Sequence, residues 1–255
     1  MELKKLKWKV PKGENGAHLA AIGDIHLGNR FHDDKPYKIN MNWLLKHKEY
    51  KIITMGDLCE CSGRHTLGLE DQIMEVDDQI DQIESDLQPF ADEGRIIGMI
   101  RGNHERRTMK HASVDVTKQI AKYLNVPYLE LSHLLYIRVV NEGKKRGQNY
   151  SIYLKHGKSF ARTPGGRINA VMRMGLIVEA DLYLHAHLHD LIHEIQDIYS
   201  IDRGNKQLKR RHYVVTGSYM KYGGYAEEAG YPPAGPSGSA RVKFHSDEHR
   251  ITVKI

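Results

Sequence analysis

The run from Arg95 to Ile100, apolar after its first residue, is cut short by Arg101-Gly102. An amide, an imidazole and a carboxylate follow at once, Asn103-His104-Glu105. Such a run reads as a buried strand that ends at a glycine turn and presents side chains at its carboxyl end. Asn offers a neutral oxygen and His an acid or base, a pair suited to a metal site with proton transfer beside it. Taken alone the tetrapeptide would say little. Its weight comes from four further segments built on the same plan.

His18 to Ile22 reads as a strand running into Gly23-Asp24-Ile25-His26. Tyr50 to Met55 runs into Gly56-Asp57, Asn149 to Leu154 into Lys155-His156-Gly157, and Ala180 to Leu184 into His185-Ala-His187-Leu-His189. In an extended backbone, residues two apart share a face, so Asp24 with His26, and His187 with His189, are expected to point into one site. Asp57, with two carboxylate oxygens beyond a buried strand, is the candidate bridge between two cations. Together Asp24, His26, Asp57, Asn103, His156, His187 and His189 mix carboxylate, amide and imidazole, a set that suits Mn, Fe, Zn or Ni better than calcium. Seven ligand-type side chains imply two divalent ions, since one catalytic zinc needs only three protein ligands. His104 stands beside them as the candidate catalytic acid. A capping Asp or a surface His would explain any one of these segments, but not all five.

These segments resemble, in order and spacing over residues 18 to 190, the calcineurin-like metallophosphoesterase superfamily. Its signature of D-x-H, GD, GNH[DE], a lone H and GHxH is matched here by Asp24-Ile-His26, Gly56-Asp57, Gly102-Asn-His-Glu105, His156 and Ala186-His187-Leu-His189. Ala186 stands where the family has Gly, a change in backbone packing rather than ligation. The resemblance implies an α/β fold, a four-layer αββα sandwich of two mixed sheets flanked by helices. It implies that Asp24, His26 and His189 hold one metal, that Asn103, His156 and His187 hold the other, and that Asp57 bridges them. Hydroxide between the metals, Mn²⁺ in first place with Fe, Zn or Ni as alternatives, would attack phosphorus in line while His104 protonates the leaving oxygen. Glu105 is expected to orient its neighbours. His185, His193, Cys59 and Glu60 match no family ligand and are left out. Gly56-Asp-Leu-Cys-Glu-Cys-Ser-Gly63 departs from the GDxVDRG wording of the Ser/Thr protein phosphatases and lacks its phosphate-holding arginine.

The resemblance therefore leans to the phosphodiesterase and DNA-repair-nuclease branch and to small phage-type metallophosphoesterases. The expected substrate is a phosphoester, with DNA, RNA or a nucleotide as candidates. A phosphomonoesterase of small molecules or phosphoproteins is the alternative, and a non-catalytic metal-binding scaffold the reading from another class. Charge bears on the choice. The formal net charge is +6, although Glu70 to Glu93 is acidic and holds no Lys or Arg. The basic remainder suits a polyanion, with the loop Lys158 to Arg167 and the stretch Lys206 to Arg211 as candidate contacts. No helix-turn-helix or zinc-finger pattern points to a plain DNA-binding module.

Residues 1–255 read as a single domain, with a motif core over 18–190 and a β-rich part over 191–255, because no Pro/Ser-rich linker divides them. Mean hydropathy of −0.56 and the lack of any apolar run near membrane length argue against a membrane partner. Met1 to Trp8 lacks the apolar core of a signal peptide, so a cytoplasmic location is expected. Cys59 and Cys61 are read as reduced loop thiols, too close in sequence for an unstrained disulfide.

Among helices, Glu70 to Phe90 shows the clearest periodicity, with Ile73, Val76, Ile80, Ile83, Leu87 and Phe90 in step. Tyr37 to Lys48, with Ile39, Trp43, Leu44 and Leu45 on or near one face, Ser113 to Leu124 with Ser113 as N-cap, and Gly166 to Val178 are also predicted. Leu6 to Val10 and His18 to Ile22 read as short strands separated by the turn Pro11-Lys-Gly-Glu-Asn-Gly16, and Leu134 to Val140 with Asn149 to Leu154 as a hairpin. Leu191 to Ile201, a turn at Asp202-Arg-Gly-Asn205, His212 to Thr216 and a final pair, Arg241 to Phe244 with Arg250 to Ile255, complete the strands. Gly217 to Pro236 reads as loop.

Overall fold

The computed structural model describes residues 2–63, 66, 68–202 and 204–255, with Asp202 described in its backbone alone. In chain order the elements are β1 (Leu3–Val10), β2 (Gly16–Ile22), α1 (Asp34–Lys46), β3 (Tyr50–Thr54), α2 (Val76–Asp92), β4 (Ile96–Met99), α3 (Glu105–Ala112) and α4 (Val116–Tyr123). Then come β5 (Ser132–Asn141), β6 (Gln148–Lys155), α5 (Pro164–Met172), β7 (Leu182–His185), β8 (Leu191–Asp202), β9 (Asn205–Thr216), α6 (Tyr225–Glu228), β10 (Ala240–His245) and β11 (Ile251–Lys254).

Two mixed sheets result, a six-stranded one in the order β1-β5-β6-β7-β9-β8 and a five-stranded one in the order β11-β10-β2-β3-β4. Strand alternation builds the layers. On β2, Leu19 and Ala21 face the other sheet and join Ile137 of β5, Ile152 of β6, Leu184 of β7 and Phe244 of β10 in the core between the sheets. Ala20 and Ile22, on the opposite face, pack against Tyr37, Met41 and Leu44 of α1, Ile83 and Leu87 of α2, and Ile120 of α4. The far face of the six-stranded sheet, with Tyr153, Tyr183 and Tyr213, is covered by Val171 of α5 and by Met174. Period-two strands buried on both faces need such covering helices, and helix, sheet, sheet, helix is the αββα sandwich. Among the described residues no helix is long and apolar enough to cross a membrane.

Topology then positions the site. β2, β3 and β4 are parallel neighbours, as are β6 and β7, so the carboxyl ends of each group open at one edge. Every segment singled out by sequence follows one of these five ends.

The structure revises several local expectations. The two short strands read on either side of the Pro11–Gly16 turn fall in different sheets: β1 runs parallel to β5 in the six-stranded sheet, and β2 lies between β10 and β3 in the other. The helix expected from Glu70 begins only at Val76, and Ile73 is 68% exposed. Its neighbours are committed elsewhere, since Ile73 N–H donates to Gly28 O and Arg30 N–H to Asp71 O, both at 2.8 Å, while Gln72 Oε1 accepts from Ser62 N–H at 2.7 Å. In α1 the buried positions are Tyr37, Met41 and Leu44, with Ile39 and Leu45 exposed. Asp115, accepting from Lys118 N–H at 3.1 Å, caps α4, whereas Ser113 takes the left-handed position that ends α3. The turn predicted at Asp202-Arg-Gly-Asn205 includes Arg203, which lies outside the described residues; the antiparallel pairing of β8 with β9 on either side of it is complete.

Candidate metal centre

The ligand-bearing turns are held by an unusual backbone. Asp24 (φ 47°), His26 (φ 50°), Asp57 (φ 51°), His187 (φ 68°) and His189 (φ 48°) all lie in the left-handed region, which non-glycine residues rarely enter. The expectation that Asp24/His26 and His187/His189 face alike because the chain is extended is therefore corrected. They face alike because alternate residues are left-handed. Such conformations cost roughly 1–3 kcal/mol each and persist where surrounding bonds over-determine them. Those bonds are present: Asp24 N–H donates to Gly56 O (2.9 Å), and Ile25 and His26 N–H both donate to Asp57 O (2.8 and 3.0 Å). His187 N–H donates to Asp24 Oδ2 at 2.8 Å. At Gly102 a side chain would strike Asp57 and Glu105, so only glycine admits both carboxylates.

Two clusters form. Asp24, His26 and His189 bring their ligand atoms within 4.8 Å of one another, and so do Asp57, His156 and His187. Asp57 lies between them, its Oδ2 at 3.2 Å from His156 Nε2, 3.8 Å from His26 Nε2 and 3.9 Å from His104 Nε2. Asn103 Oδ1 sits 2.9 Å from His156 Nε2. All eight residues named from the sequence thus meet in one place.

The donor set suits a cation. His156 Nδ1 lies 2.7 Å from Met55 O, and a carbonyl can only accept, so Nδ1 carries the proton. Its Nε2 faces the oxygens of Asn103 and Asp57. Burial alone would lower the His156 pKa, but the Asp57 carboxylate outweighs it and raises the value to about 10, so without a cation Nε2 holds a second proton where an ion would sit. His26 repeats the pattern, with Nδ1 on Glu60 Oε2 at 3.0 Å and Nε2 facing His189 Nε2 at 3.1 Å. Asp24 Oδ1 and Asp57 Oδ2 are buried and have no hydrogen-bond partner. Buried acceptors converging without donors need a positive charge, and divalent ions supply it. Burial alone would raise the carboxyl pKa of Asp57, but the His156 and His104 imidazoles hold it well below the usual carboxylate range. Burial pushes His187 down to about 4, with His156 adding to the effect, so its imidazole is neutral and able to ligate.

Glu60, set aside in the sequence reading, belongs here. Its carboxylate contacts His26 Nδ1 (3.0 Å), His104 Nδ1 (3.2 Å) and Arg107 Nη1 (3.3 Å), while its carbonyl accepts from His104 Nδ1 at 2.9 Å. The signal in the sequence was a carboxylate three residues past Asp57 in the same turn. Glu105 does orient its neighbours, accepting the N–H groups of Asp57 (3.1 Å), Leu58 (2.6 Å) and Gly102 (3.1 Å); burial, with Asp57 adding, raises its pKa to about 7. His185 packs beneath the site, where a side chain on Gly157 would meet its ring. Ala186 is buried in the core between the sheets. Cys59 and Cys61 are free and buried.

The basic segments fare unevenly. Arg167 is buried and paired with Asp190 at 2.6 Å, which removes it as a phosphate contact. Lys209 pairs with Glu179 (2.7 Å) and Arg210 with Asp197 (2.7 Å). Lys158 lies over Phe160 and Arg162 over Tyr231.

No family model matches the chain, and no curated protein matches it. Solved structures are similar to it. Vacuolar protein sorting 29 from Cryptosporidium parvum shares 11% identity over 94% of this chain and 97% of that one, with a TM-score of 0.44. YfcE, a phosphoesterase from E. coli, shares 14% over 89% and 87%, with a TM-score of 0.42. GAP50, the anchor in the inner membrane complex of Plasmodium, shares 10% over 94% and 84%, with a TM-score of 0.47. At these identities and TM-scores the likenesses assign no activity, metal or partner to this chain.

Proposed function

We propose that the chain is a metal-dependent phosphoesterase, and that its substrate is a phosphodiester in nucleic acid or a nucleotide-like molecule. The observation that carries this reading is the pair of ligand clusters meeting at Asp57, with the buried oxygens Asp24 Oδ1 and Asp57 Oδ2 left without donors. Asp24, His26 and His189 would hold one divalent ion and Asn103, His156 and His187 the other, with Asp57 reaching both. Mn²⁺ is the first choice; Fe, Zn and Ni suit the same mixed ligands. Bound ions supply Lewis-acid polarisation of the phosphoryl group and a water nucleophile at neutral pH.

The chain's own contribution is proton placement. His104 is fixed by the Glu60 carbonyl through Nδ1, which leaves Nε2 directed at the clusters. Burial alone would lower its pKa, but the carboxylates of Asp57 and Glu60 outweigh that and raise it. A raised pKa suits an imidazole that is to deliver a proton to the leaving oxygen. Glu105 ties the Asp57 turn to Gly102 so that both strand ends keep their spacing. A basic balance with Lys158 and Arg162 in the loop after His156 favours a polyanionic diester.

The test is hydrolysis of bis-p-nitrophenyl phosphate by metal-stripped protein with Mn²⁺ restored, for wild type and His104→Ala. Mn-dependent turnover falling by about 10²-fold or more in the variant is expected. Faster turnover of p-nitrophenyl phosphate would move the reading to a monoesterase. Metal binding without turnover by Mn, Ni, Fe or Zn would move it to a scaffold.

A further inference from the structure

Arg107 is the third residue of α3, in its first turn, and its guanidinium makes contacts that a surface arginine does not. Nη2 lies 2.9 Å from His104 Nε2. Nη1 lies 3.3 Å from Glu60 Oε1 and 3.3 Å from Ser62 Oγ. Glu60, in turn, is held by His26 and by the Ser62 hydroxyl, which donates to Oε1 at 3.0 Å. The Arg107 side chain remains 24% exposed, so one side of the guanidinium faces solvent while the other rests on His104 and Glu60.

The contact with His104 is the one the guanidinium can give up. His104 Nδ1 faces a carbonyl and arginine has donors and no acceptor, so Nη2 donates to Nε2. The guanidinium has a long stem, an open side and a second anchor on Glu60 and Ser62 about which Nη2 can swing.

We propose that Arg107 is a substrate-binding residue. In the free protein it caps His104 Nε2. When a phosphoester enters, the guanidinium transfers Nη2 to a non-bridging oxygen of the scissile phosphate while Nη1 stays on Glu60 and Ser62. The planar fork of arginine matches a tetrahedral oxyanion with two directed donors, which a lysine ammonium meets only as a point charge. The inference rests on the phosphoester reading given above. It adds which of the chain's own side chains meets the phosphate.

Inorganic phosphate, titrated calorimetrically into the manganese-loaded protein, is the direct probe, run on wild type, Arg107→Met and Arg107→Lys. KM and kcat for bis-p-nitrophenyl phosphate are measured alongside. Loss of a charge-assisted contact is expected to weaken phosphate binding by about tenfold or more in Arg107→Met. KM should rise by a similar factor, and Arg107→Lys should regain part of both. If phosphate affinity and KM of Arg107→Met stay within about twofold of wild type while turnover is intact, the role of Arg107 is overturned and the phosphoesterase reading stands. If wild type binds phosphate but hydrolyses neither ester, that reading falls, and the affinities alone decide on Arg107. A wild type that binds no phosphate overturns the proposal. Should Arg107→Met lose its fold, Arg107→Lys decides, since an arginine serving only to brace Glu60 would be replaced by lysine with no change in phosphate affinity.

Discussion

The two ligand clusters use the same side-chain chemistry and share left-handed turns, Asp57 and His187 in the second as well as all three residues of the first, but they are anchored differently. Asp24, His26 and His189 are all left-handed residues on loops, and His189 leaves 30% of its side chain exposed. In the second cluster His156 closes directly on β6, is buried, and is locked through Nδ1 to the backbone of β3's exit at Met55. Its partner Asp57 is tied by three groups: its own N–H donates to Glu105, its Oδ1 accepts His104 N–H at 2.8 Å, and its carbonyl accepts Ile25 and His26 N–H. Rigid elements place ligands more accurately than loops do. With His156 set at a strand end, the second cluster is expected to be the preformed seat and the first the more exchangeable one.

The largest break in this comparison comes at the residue the clusters share. Asp57→Asn keeps the shape but removes the charge that faces both. Several kcal/mol of charge stabilisation are at stake, so diester turnover should fall by about 10³-fold, and both ions should bind more weakly. A fall of only about tenfold, with one ion unaffected, would show that Asp57 serves a single cluster.

Next in size is the contrast between His156→Ala and His189→Ala. If the buried cluster is the preformed seat, His156→Ala should lose one ion outright under native mass spectrometry. His189→Ala should keep two, with one weakened by about 10- to 100-fold, the range seen when a ligand's support rather than the seat is lost. Equal losses in the two variants would end the distinction.

Much of the site was legible because its logic is local. A buried parallel strand must end in a turn, and glycine followed by Asp or Asn-His is visible at Gly56-Asp57 and Gly102-Asn103-His104. The sandwich, by contrast, came from the resemblance, since periodicity shows that a strand is buried but not which sheet holds it. That is why β1 and β2 could be read as successive short strands but not assigned to the separate sheets in which they lie. Glu60 was missed for a related reason. Nothing within its own turn announces that residues 26, 104 and 107 converge on it from three other segments. The left-handed ligands were hidden as well, because an Asp or His carries no φ in its identity as glycine nearly does. The helix read from Glu70 failed where backbone partners outside the helix, Gly28 O and Arg30 N–H, claimed the chain first. Propensity is a weak prior once tertiary contacts compete.

The smallest expected effect tests how dry the second cluster is. His185 packs under Gly157 and is buried, its Nδ1 donating to Ala186 O at 2.6 Å. Burial lowers its pKa to about 4, against an ordinary value near 6.5. Because the folded value is depressed, the folded protein refuses a proton that the unfolded chain accepts between those pH values. Stability from this group is therefore full above about pH 6.5 and is lost as pH falls toward 4. Across one pH unit inside that window, from about 6 to about 5, wild type should lose about 1 kcal/mol more than His185→Gln. Urea unfolding of metal-stripped protein at the two pH values measures the difference. If the two proteins lose stability in parallel, His185 is hydrated, the floor of the second cluster is wet, and its contrast with the open cluster around His189 no longer holds.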